Sequence, residues 1–190
     1  MSPARMVLDP AQMTAPVSPA DIVSFWREAG SEKWFAQDES FDRTVRSRFL
    51  PAYEAAANGE LAAWEDSAGG ALALVLLLDQ FSRNMFRGDA RAFATDALAR
   101  GVADRALERG FDKATDPALR TFFYLPFEHS EVPADQDRSV RLYEALGDAE
   151  SLRYATEHRD VIRRFGRFPG RNSALGRDTT PAEQAFLDSE

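Results

Sequence analysis

The chain has 190 residues, of which 44% are hydrophobic and 28% charged, as is usual for a globular protein with a sizeable core. It has no cysteine, which excludes disulfides, thiolate metal sites and cysteine nucleophiles. The formal net charge of −8 argues against nucleic-acid binding. No apolar run approaches the roughly 20 residues that a membrane helix needs, and no secretory signal pattern opens the sequence. We therefore expect a cytoplasmic protein without a membrane span.

The N-terminal residues 1–17 contain prolines and no helical periodicity, and we interpret them as a flexible arm. Residues 18–190 are expected to form a single helical domain. The segment "SPAD" at 18–21 combines an N-cap serine, a first-turn proline and an aspartate three residues after the serine. This combination predicts the start of the first helix, and Gly30 is predicted to end it.

The second helix is predicted to start at Asp38 and to end at 58–59, where the sequence reads "NG". The third helix, over about 69–84, contains the most hydrophobic run of the chain, "ALALVLLL" at 71–78. A helix that is apolar on every side belongs at the centre of a fold. We therefore expect the other helices to pack around this one.

Capping and stop signals predict the remaining helices. They are a fourth helix at 95–110, a fifth that starts at 116 and is interrupted by Pro126, a sixth at 134–146, a seventh at 149–165, and a short last helix from 180. No segment shows the period-2 alternation of a strand. Seven or eight helices with short connections predict an all-α fold, a stack of antiparallel helical hairpins. The consensus of tetratricopeptide repeats does not appear in register.

Two neighbouring segments of the chain carry opposite charge. Residues 128–150 contain seven acidic residues and two arginines, whereas residues 153–177 contain seven arginines and two acidic residues. One interpretation is that the two segments complement each other across a helix interface. The other is that the arginines line a site for an anion.

The hydrophobic run ends in polar residues, in the stretch "LDQFSRNMFRG" at 78–88. Asp79 and Arg83 are four positions apart on one helix face, with Asn84 next to Arg83, and Arg87 follows Arg83 at the same spacing. A guanidinium at the end of a buried helix needs a partner. Arg83 either ties Asp79 to carboxylates of the fifth or sixth helix, or Arg83 or Arg87 binds a carboxylate or phosphate of a ligand.

The chain has only two histidines, His129 and His158. Neither belongs to the Glu-x-x-His motif of di-iron helical bundles. Glu128 and Glu131 lie close to His129 in the sequence, but this pattern is too weak to predict a metal site. His158 shares the apolar stripe of its helix, which favours a hydrogen-bonded core histidine, with a pocket-lining role as the alternative.

Motifs of nucleophilic and cofactor chemistry are missing from the sequence. There is no Gly-x-Ser-x-Gly elbow, and Ser130 directly follows His129, where two helical side chains do not face each other. There is no glycine-rich phosphate loop either. We therefore predict no cofactor.

Three stretches resemble the motifs of a known family: "LDQFSRNMFRG", "YLPFEHSEVPADQDRSV" at 124–140 and "HRDVIRRFGRFPGRN" at 158–172. They are similar, in length and in order, to an uncharacterised and mainly bacterial family, number nine-two-four among the domains of unknown function. The resemblance covers about residues 20–188. It implies an all-α fold of the tetratricopeptide-like type, a right-handed stack of helical hairpins. The family has no established activity, cofactor or substrate.

The resemblance also marks recurring polar positions that this chain matches. They are Asp79, Gln80, Arg83, Asn84, His129, Ser130, Glu131, Gln136, Arg138, His158, Arg167, Arg171 and Asn172. The family often has histidine where this chain has Gly170, and we interpret that position as peripheral.

The first hypothesis for function is a soluble helical binding module whose three motifs converge in one cleft near the end of the third helix. Its arginines would face a small anionic ligand or a peptide carboxylate, and its histidines and glutamates would orient that ligand. The candidate ligand-binding residues are Asp79, Arg83, Asn84, Arg87, Glu128, His129, Glu131, Arg138, His158, Arg167, Arg171 and Asn172. No nucleic-acid or membrane partner and no metal are expected.

Two alternative hypotheses use the same residues. In one, the protein is a small-molecule enzyme, hydrolase-like, in which His129 or His158 is the general base, because imidazole titrates near neutral pH. In the other, the motifs are buried polar networks that fix how the helices pack and bind no ligand.

Overall fold

The structure, a computed structural model, describes residues 16–189. This range is built of helices, turns and short loops and contains no strand, so the all-α prediction is confirmed. The arm predicted at 1–17 lies outside the described residues except for 16 and 17. None of the helices between 16 and 189 is long and apolar enough to cross a membrane.

The α-helices are α1 (Pro19–Ala29), α2 (Ser31–Trp34), α3 (Glu39–Ala57), α4 (Ala68–Val75), α5 (Ser82–Met85), α6 (Asp96–Glu108), α7 (Pro117–Arg120), α8 (Leu125–Glu128), α9 (Pro133–Leu146), α10 (Ala149–Phe165) and α11 (Pro181–Leu187). Short 3-10 helices lie at Ala62–Asp66, Ala90–Phe93, Thr121–Phe123 and Pro169–Arg171. A π-helical segment, Leu76–Phe81, joins α4 to α5.

The predicted helices are all present. The helix predicted at 69–84 consists of α4, the π-helical segment and α5, and the interrupted fifth helix consists of α7 and α8. Ser18 and Thr180 each form a capping box, in which the N-cap hydroxyl and a first-turn carboxylate satisfy free backbone N–H groups. The short α2 was not predicted, and the tetratricopeptide-like stacking stays a prediction.

The run at 71–78 lies at the centre of the fold, as predicted. All of its side chains are almost completely buried. Helix α4 packs against α1 and α6, and the π-helical segment packs against α3. Large aromatic side chains from α1 and α3 close this core against Phe81, with Trp26 and Phe49 about 5 Å from its ring. The core therefore holds rigidly the helix turn that carries the first polar motif.

The π-helical segment is the local feature that the sequence did not indicate. Such a segment widens one helical turn and leaves backbone carbonyls without their usual partners. In this segment, side chains donate hydrogen bonds to backbone carbonyls. The hydroxyl groups of Thr95 and Ser82 donate to the carbonyl oxygen of Leu78, at 2.6 and 3.0 Å. The Arg83 guanidinium donates to the carbonyl oxygen of Asp79 at 2.7 Å. The widened turn thus places a buried carboxylate and a guanidinium side by side.

The oppositely charged segments meet in the hairpin of α9 and α10 and in the loop after it. Arg163 on α10 pairs with Asp137 on α9 at 3.0 Å. Arg177 makes two hydrogen bonds to the Glu131 carboxylate, at 2.8 and 2.9 Å. Complementary pairing across an interface, the first interpretation of these segments, is what the structure contains.

Candidate functional site

The three sequence motifs meet at His129. Its Nδ1 lies 2.8 and 3.0 Å from the two carboxylate oxygens of Asp79, which belongs to the first motif. Its backbone carbonyl accepts a hydrogen bond of 2.8 Å from Arg171, which belongs to the third. Gly166 adopts a left-handed conformation, with φ of 71°, that ends α10 and directs the chain into the loop that carries Arg171. Residues 42 and 50 positions apart in sequence are thus brought into contact.

Asp79 is the centre of a buried charge network. Its side chain is 0% exposed, and it accepts hydrogen bonds from Arg83 and Gln80 as well as contacting His129. Arg83 continues the network by donating two hydrogen bonds to Asp96, at 2.9 and 3.1 Å. Burial by itself would raise the pKa of Asp79, but the charge of Arg83 and the hydrogen bonds from His129 and Gln80 outweigh it and hold that pKa well below its usual range. Asp79 is therefore an ionised carboxylate.

The partner of Arg83 differs from the prediction in one respect. The second carboxylate was predicted on the fifth or sixth helix, whereas Asp96 lies in the first turn of α6, the predicted fourth helix. Asp96 directly follows Thr95 in the sequence, and an acidic residue at this position is typical of a helix start. Nothing in the sequence indicated that Asp96 also binds Arg83.

The ionised Asp79 determines the tautomer of His129. A carboxylate can only accept a hydrogen bond, so Nδ1 must carry the proton and donate it. Burial and the nearby charge of Arg83 lower the pKa of His129, against the opposing effect of Asp79. The ring is therefore neutral near pH 7, and its Nε2 carries a lone pair. Within 16–189, the hydrogen bonds of this ring are made by Nδ1.

The backbone around His129 is fixed by side chains that bind its carbonyl groups. Gln136, which is completely buried, donates to the carbonyl oxygens of Glu128 and Ser130 at 2.6 and 2.7 Å. Arg171 binds the carbonyl between them, and its guanidinium lies between the rings of Phe93 and Phe168, 4.7 and 4.5 Å from their centroids. Three consecutive carbonyls are thus satisfied, which holds the imidazole in place.

His129 lines two cavities. The smaller cleft has a volume of about 330 Å³. It is lined by Ala90, Phe93, Ala94, Asp96, Ala97, Arg100, His129, Ser130, Glu131, Arg171, Leu175 and Arg177. Each of its guanidinium groups is paired with a carboxylate of the protein: Arg100 with Asp135, Arg171 with Asp96, and Arg177 with Glu131. Its positive charge is therefore already neutralised.

The larger cleft has a volume of about 630 Å³. It is lined by Ser31, Trp34, Phe35, Pro117, Ala118, Thr121, Leu125, Glu128, His129, Tyr143, Leu146, Asp148, Glu150, Ser151, Tyr154 and His158. Phe35 and Tyr154 are 66% and 45% exposed, which is unusual for aromatic side chains. Most of the wall is apolar, and the buried residues Glu128 and Tyr143 contribute polar groups to a lining that also includes His129. A concave apolar wall with a few convergent polar groups is the usual form of a small-molecule site.

Glu128 is the unusual polar group of the larger cleft. Its side chain is 4% exposed, and burial raises its pKa to about 8, with the Tyr143 hydroxyl opposing the shift and the Asp79 charge adding to it. At pH 7 the carboxyl group therefore keeps its proton. The Nδ1 atom of His158 lies 3.3 Å from this carboxyl group and 2.8 Å from the carbonyl oxygen of Tyr154.

His158 is placed differently from the favoured interpretation. Its side chain is 36% exposed and lines the larger cleft, so it is not a buried core histidine. The apolar stripe that suggested burial includes Tyr154, which is itself largely exposed and forms part of the cleft wall. The periodicity correctly identified the helix face but could not distinguish a core from a cavity.

We call the contacts among Asp79, His129 and Arg171 the junction. Several other predicted residues lie outside it. Asn84 and Arg87 both bind Asp42 of α3, at 2.7 to 3.0 Å. Arg138 pairs with Asp104 of α6 at 2.6 Å. These residues connect helices and line neither cavity.

Arg167 and Asn172 form a third group around Glu183 of α11. Arg167 makes two hydrogen bonds to this carboxylate, at 2.6 and 2.9 Å, and Asn172 lies 3.4 Å from it. Glu131 lies nearer to His129, in the smaller cleft, where it also accepts the backbone N–H of Phe168. Gly170, where the family often has histidine, is exposed. The contacts of Arg167 and Asn172 anchor the C-terminal segment, and neither residue lines a cavity.

Several residues of the charge network and of the larger cleft were not identified from the sequence. Asp96 and Tyr143 occupy ordinary helical positions, and Trp34 and Phe35 lie at the end of the four-residue helix α2, which is too short to show periodicity. In the described range, no three histidine, aspartate or glutamate side chains are arranged to hold a metal ion.

Comparison with known proteins places the chain in a family. The sequence model for the family described as "Bacterial protein of unknown function (DUF924)" matches residues 22–190, so the chain belongs to this family. A solved structure with the same fold is the protein of unknown function ATU0120 from Agrobacterium tumefaciens. The two chains are 51% identical with a TM-score of 0.88, over 90% of this chain and 97% of the other. No curated protein matches the chain.

Proposed function

We propose that the protein is a helical binding protein for a small uncharged molecule, and that the molecule occupies the larger cleft. The observation that carries the proposal is the buried Glu128, whose pKa burial raises to about 8, beneath apolar walls formed by residues such as Trp34 and Leu125. Such a site offers a hydrogen bond to one polar group and apolar contact to the rest of the ligand. A cytoplasmic location belongs to the same proposal.

The anionic ligand predicted from the sequence is less well supported than an uncharged one. Arg83, Arg167 and Arg171 were expected to face it, but each of them is paired with a carboxylate of the protein. An anion would have to displace one of these partners and leave it buried and unpaired. Between residues 16 and 189, no lysine or arginine lines the larger cleft, and Asp148 and Glu150 are part of its wall.

Two matched probes distinguish these possibilities: phenylacetone, an uncharged ketone, and phenylacetate, which has the same apolar body with a carboxylate. Saturation-transfer NMR on the full-length protein is expected to show binding of phenylacetone and much weaker binding of phenylacetate. Ala118→Trp, which fills the larger cleft, should abolish the phenylacetone signal. Ala145→Trp, on the exposed face of α9 and outside both clefts, is the control.

Opposite results would contradict the proposal. Binding of phenylacetate in preference to phenylacetone, abolished by Ala94→Trp in the smaller cleft and not by Ala118→Trp, would establish an anion site there instead. Absence of binding by either probe would contradict the binding function.

A further inference from the structure

We propose that the larger cleft is a proton-transfer active site for an uncharged carbonyl compound, with His129 as the general base and Glu128 as the general acid. The inference rests on the proposed function, because the substrate must occupy the same cleft as the ligand proposed there. It adds a substrate class and a reaction, both of which follow from the groups that line the cleft interior.

The base is prepared by the polar network behind it. Asp79 is completely buried and ionised, and it accepts the Nδ1–H of His129 at 2.8 Å. This contact fixes the tautomer and the ring orientation, so that Nε2 presents its lone pair. The same carboxylate stabilises the imidazolium that forms when Nε2 takes a proton. Arg83, which binds Asp79 from the other side, keeps that carboxylate ionised.

The acid is prepared by burial. The Glu128 carboxyl group lies among Tyr143, His158 and the charge of Asp79, and no lysine or arginine of the described residues pairs with it. A neutral carboxyl group in an apolar site can donate a hydrogen bond to oxygen on which negative charge develops. A donor and an acceptor of protons thus line one cavity.

The wall determines which substrates fit. Trp34, Phe35, Leu125 and Tyr154 present apolar or aromatic surface, which favours a substrate with an apolar body. The acidic rim residues Asp148 and Glu150 disfavour anions. Ser130 is no alternative nucleophile, because it is buried and its hydroxyl donates to Asp135 at 2.7 Å. The groups present therefore support proton transfer without a covalent intermediate.

The reaction that these groups support is enolisation. The C–H bond next to the substrate carbonyl breaks, and the proton moves to Nε2 of His129. The electron pair of that bond forms a carbon–carbon double bond, and the carbonyl π pair takes the proton of Glu128 to give the enol. Return of a proton from His129 to carbon and of the hydroxyl proton to Glu128 restores both residues. No oxidant, reductant or co-reactant is needed.

Hydrogen exchange tests this directly. In D₂O, the methylene hydrogens of phenylacetone are followed by ¹H NMR with wild-type protein, and the buffer rate is subtracted. Wild type is expected to accelerate the exchange. His129→Gln should lower the protein-dependent rate by about 100-fold or more, the usual contribution of a general base. Glu128→Gln should lower it by about 10-fold, because the amide still donates a hydrogen bond. Glu157→Gln, which makes the same change on the surface of α10, is the control.

The pH profile identifies the two roles. The wild-type rate should rise as His129 loses its proton and fall as Glu128 loses its own near pH 8. In Glu128→Gln the fall at high pH should disappear. A purely structural role of Glu128 would leave the shape of the profile unchanged.

The outcomes separate this proposal from the proposed function. Phenylacetone that binds in the larger cleft without exchange, or with exchange that His129→Gln leaves intact, overturns the proton-transfer proposal and leaves the binding function in place. Absence of phenylacetone binding overturns both. A further measurement uses wild type alone, so its result does not depend on whether the variants fold. Nitrogen-15 NMR should show His129 with a proton on Nδ1 and none on Nε2 at pH 7, and any other state of the ring overturns the proposal.

Discussion

The two clefts on either side of His129 are built in opposite ways. In the smaller one, carboxylates of the protein neutralise Arg100, Arg171 and Arg177, so the charges satisfy each other. In the larger one, apolar walls surround a protonated Glu128 and the imidazole. A cluster of charged residues is therefore not in itself a ligand site. Here the charged residues hold His129 in place, and the proposed ligand would contact His129 from the larger, mostly apolar cleft.

The largest effect is expected from removing the charge that anchors the junction. Asp79→Ala leaves the buried His129 without its carboxylate partner and Arg83 with Asp96 alone, and removal of one member of a buried pair costs about 3–5 kcal/mol in the free energy of unfolding. Urea denaturation at pH 7 measures this loss. Asp137→Ala, which breaks an exposed pair with Arg163, is the matched control and should cost less than about 1 kcal/mol. Equal losses in the two variants would mean that the network does not support the fold.

The second prediction concerns pH, on the apolar side of the comparison. Burial raises the pKa of Glu128 from 4.5 to about 8, so at pH values between these two the unfolded state releases a proton that the folded state keeps. Stability from this group is full below pH 4.5 and is lost as the pH rises towards 8, by at most about 1.4 kcal/mol per pH unit. Glu128→Gln should remove this slope.

Urea denaturation of wild type and Glu128→Gln across this pH range makes the measurement. Glu157→Gln, at an exposed position, should keep the wild-type slope. A parallel decline in wild type and Glu128→Gln would show that Glu128 is ionised in the folded protein and would remove the acid from the larger cleft.

A smaller effect is expected from Arg171→Met, which removes a guanidinium from the smaller cleft. The carbonyl of His129 loses a hydrogen-bond donor, which should lower the free energy of unfolding by about 1–3 kcal/mol. Phenylacetone titrations should give the same affinity as wild type within about twofold, because Arg171 does not line the larger cleft. Loss of binding in a folded Arg171→Met variant would mean that the two clefts do not have separate roles.

The smallest effect is expected from Arg138→Ala. Its pair with Asp104 is partly exposed, and such pairs contribute about 1 kcal/mol or less. Both thermal unfolding and phenylacetone binding should remain close to wild type. Arg138 lines neither cleft, so a large loss of phenylacetone binding in Arg138→Ala would contradict its exclusion from the candidate site.

The helices were predictable because their signals are local. Ser18 and Thr180 begin helices through capping boxes that can be read from four residues. The central position of the run at 71–78 followed from its lack of a polar face. The π-helical segment had no local signal, and one of its carbonyl groups, that of Leu78, accepts a hydrogen bond from Thr95, 17 positions away.

The site was predictable only in part, for the same reason. Polar residues beside apolar stretches correctly indicated that three motifs would converge, and Asp79, His129 and Arg171 do. Their spacing could not show which arginines would find protein carboxylates, since Asp42, Asp96 and Glu183 approach from distant helices. The walls of the larger cleft are mostly apolar and contain no recognisable motif. The sequence therefore indicated a site among the charged residues near His129.

The most direct test of the central claim is to observe which cleft a ligand enters. Leu125 and Leu146 line only the larger cleft, and Leu175 lines only the smaller one, so methyl-labelled leucine reports on both in one spectrum. On titration with phenylacetone, the methyl resonances of Leu125 and Leu146 are expected to shift while that of Leu175 stays in place. A shift of Leu175, with Leu125 and Leu146 unchanged, would contradict the account.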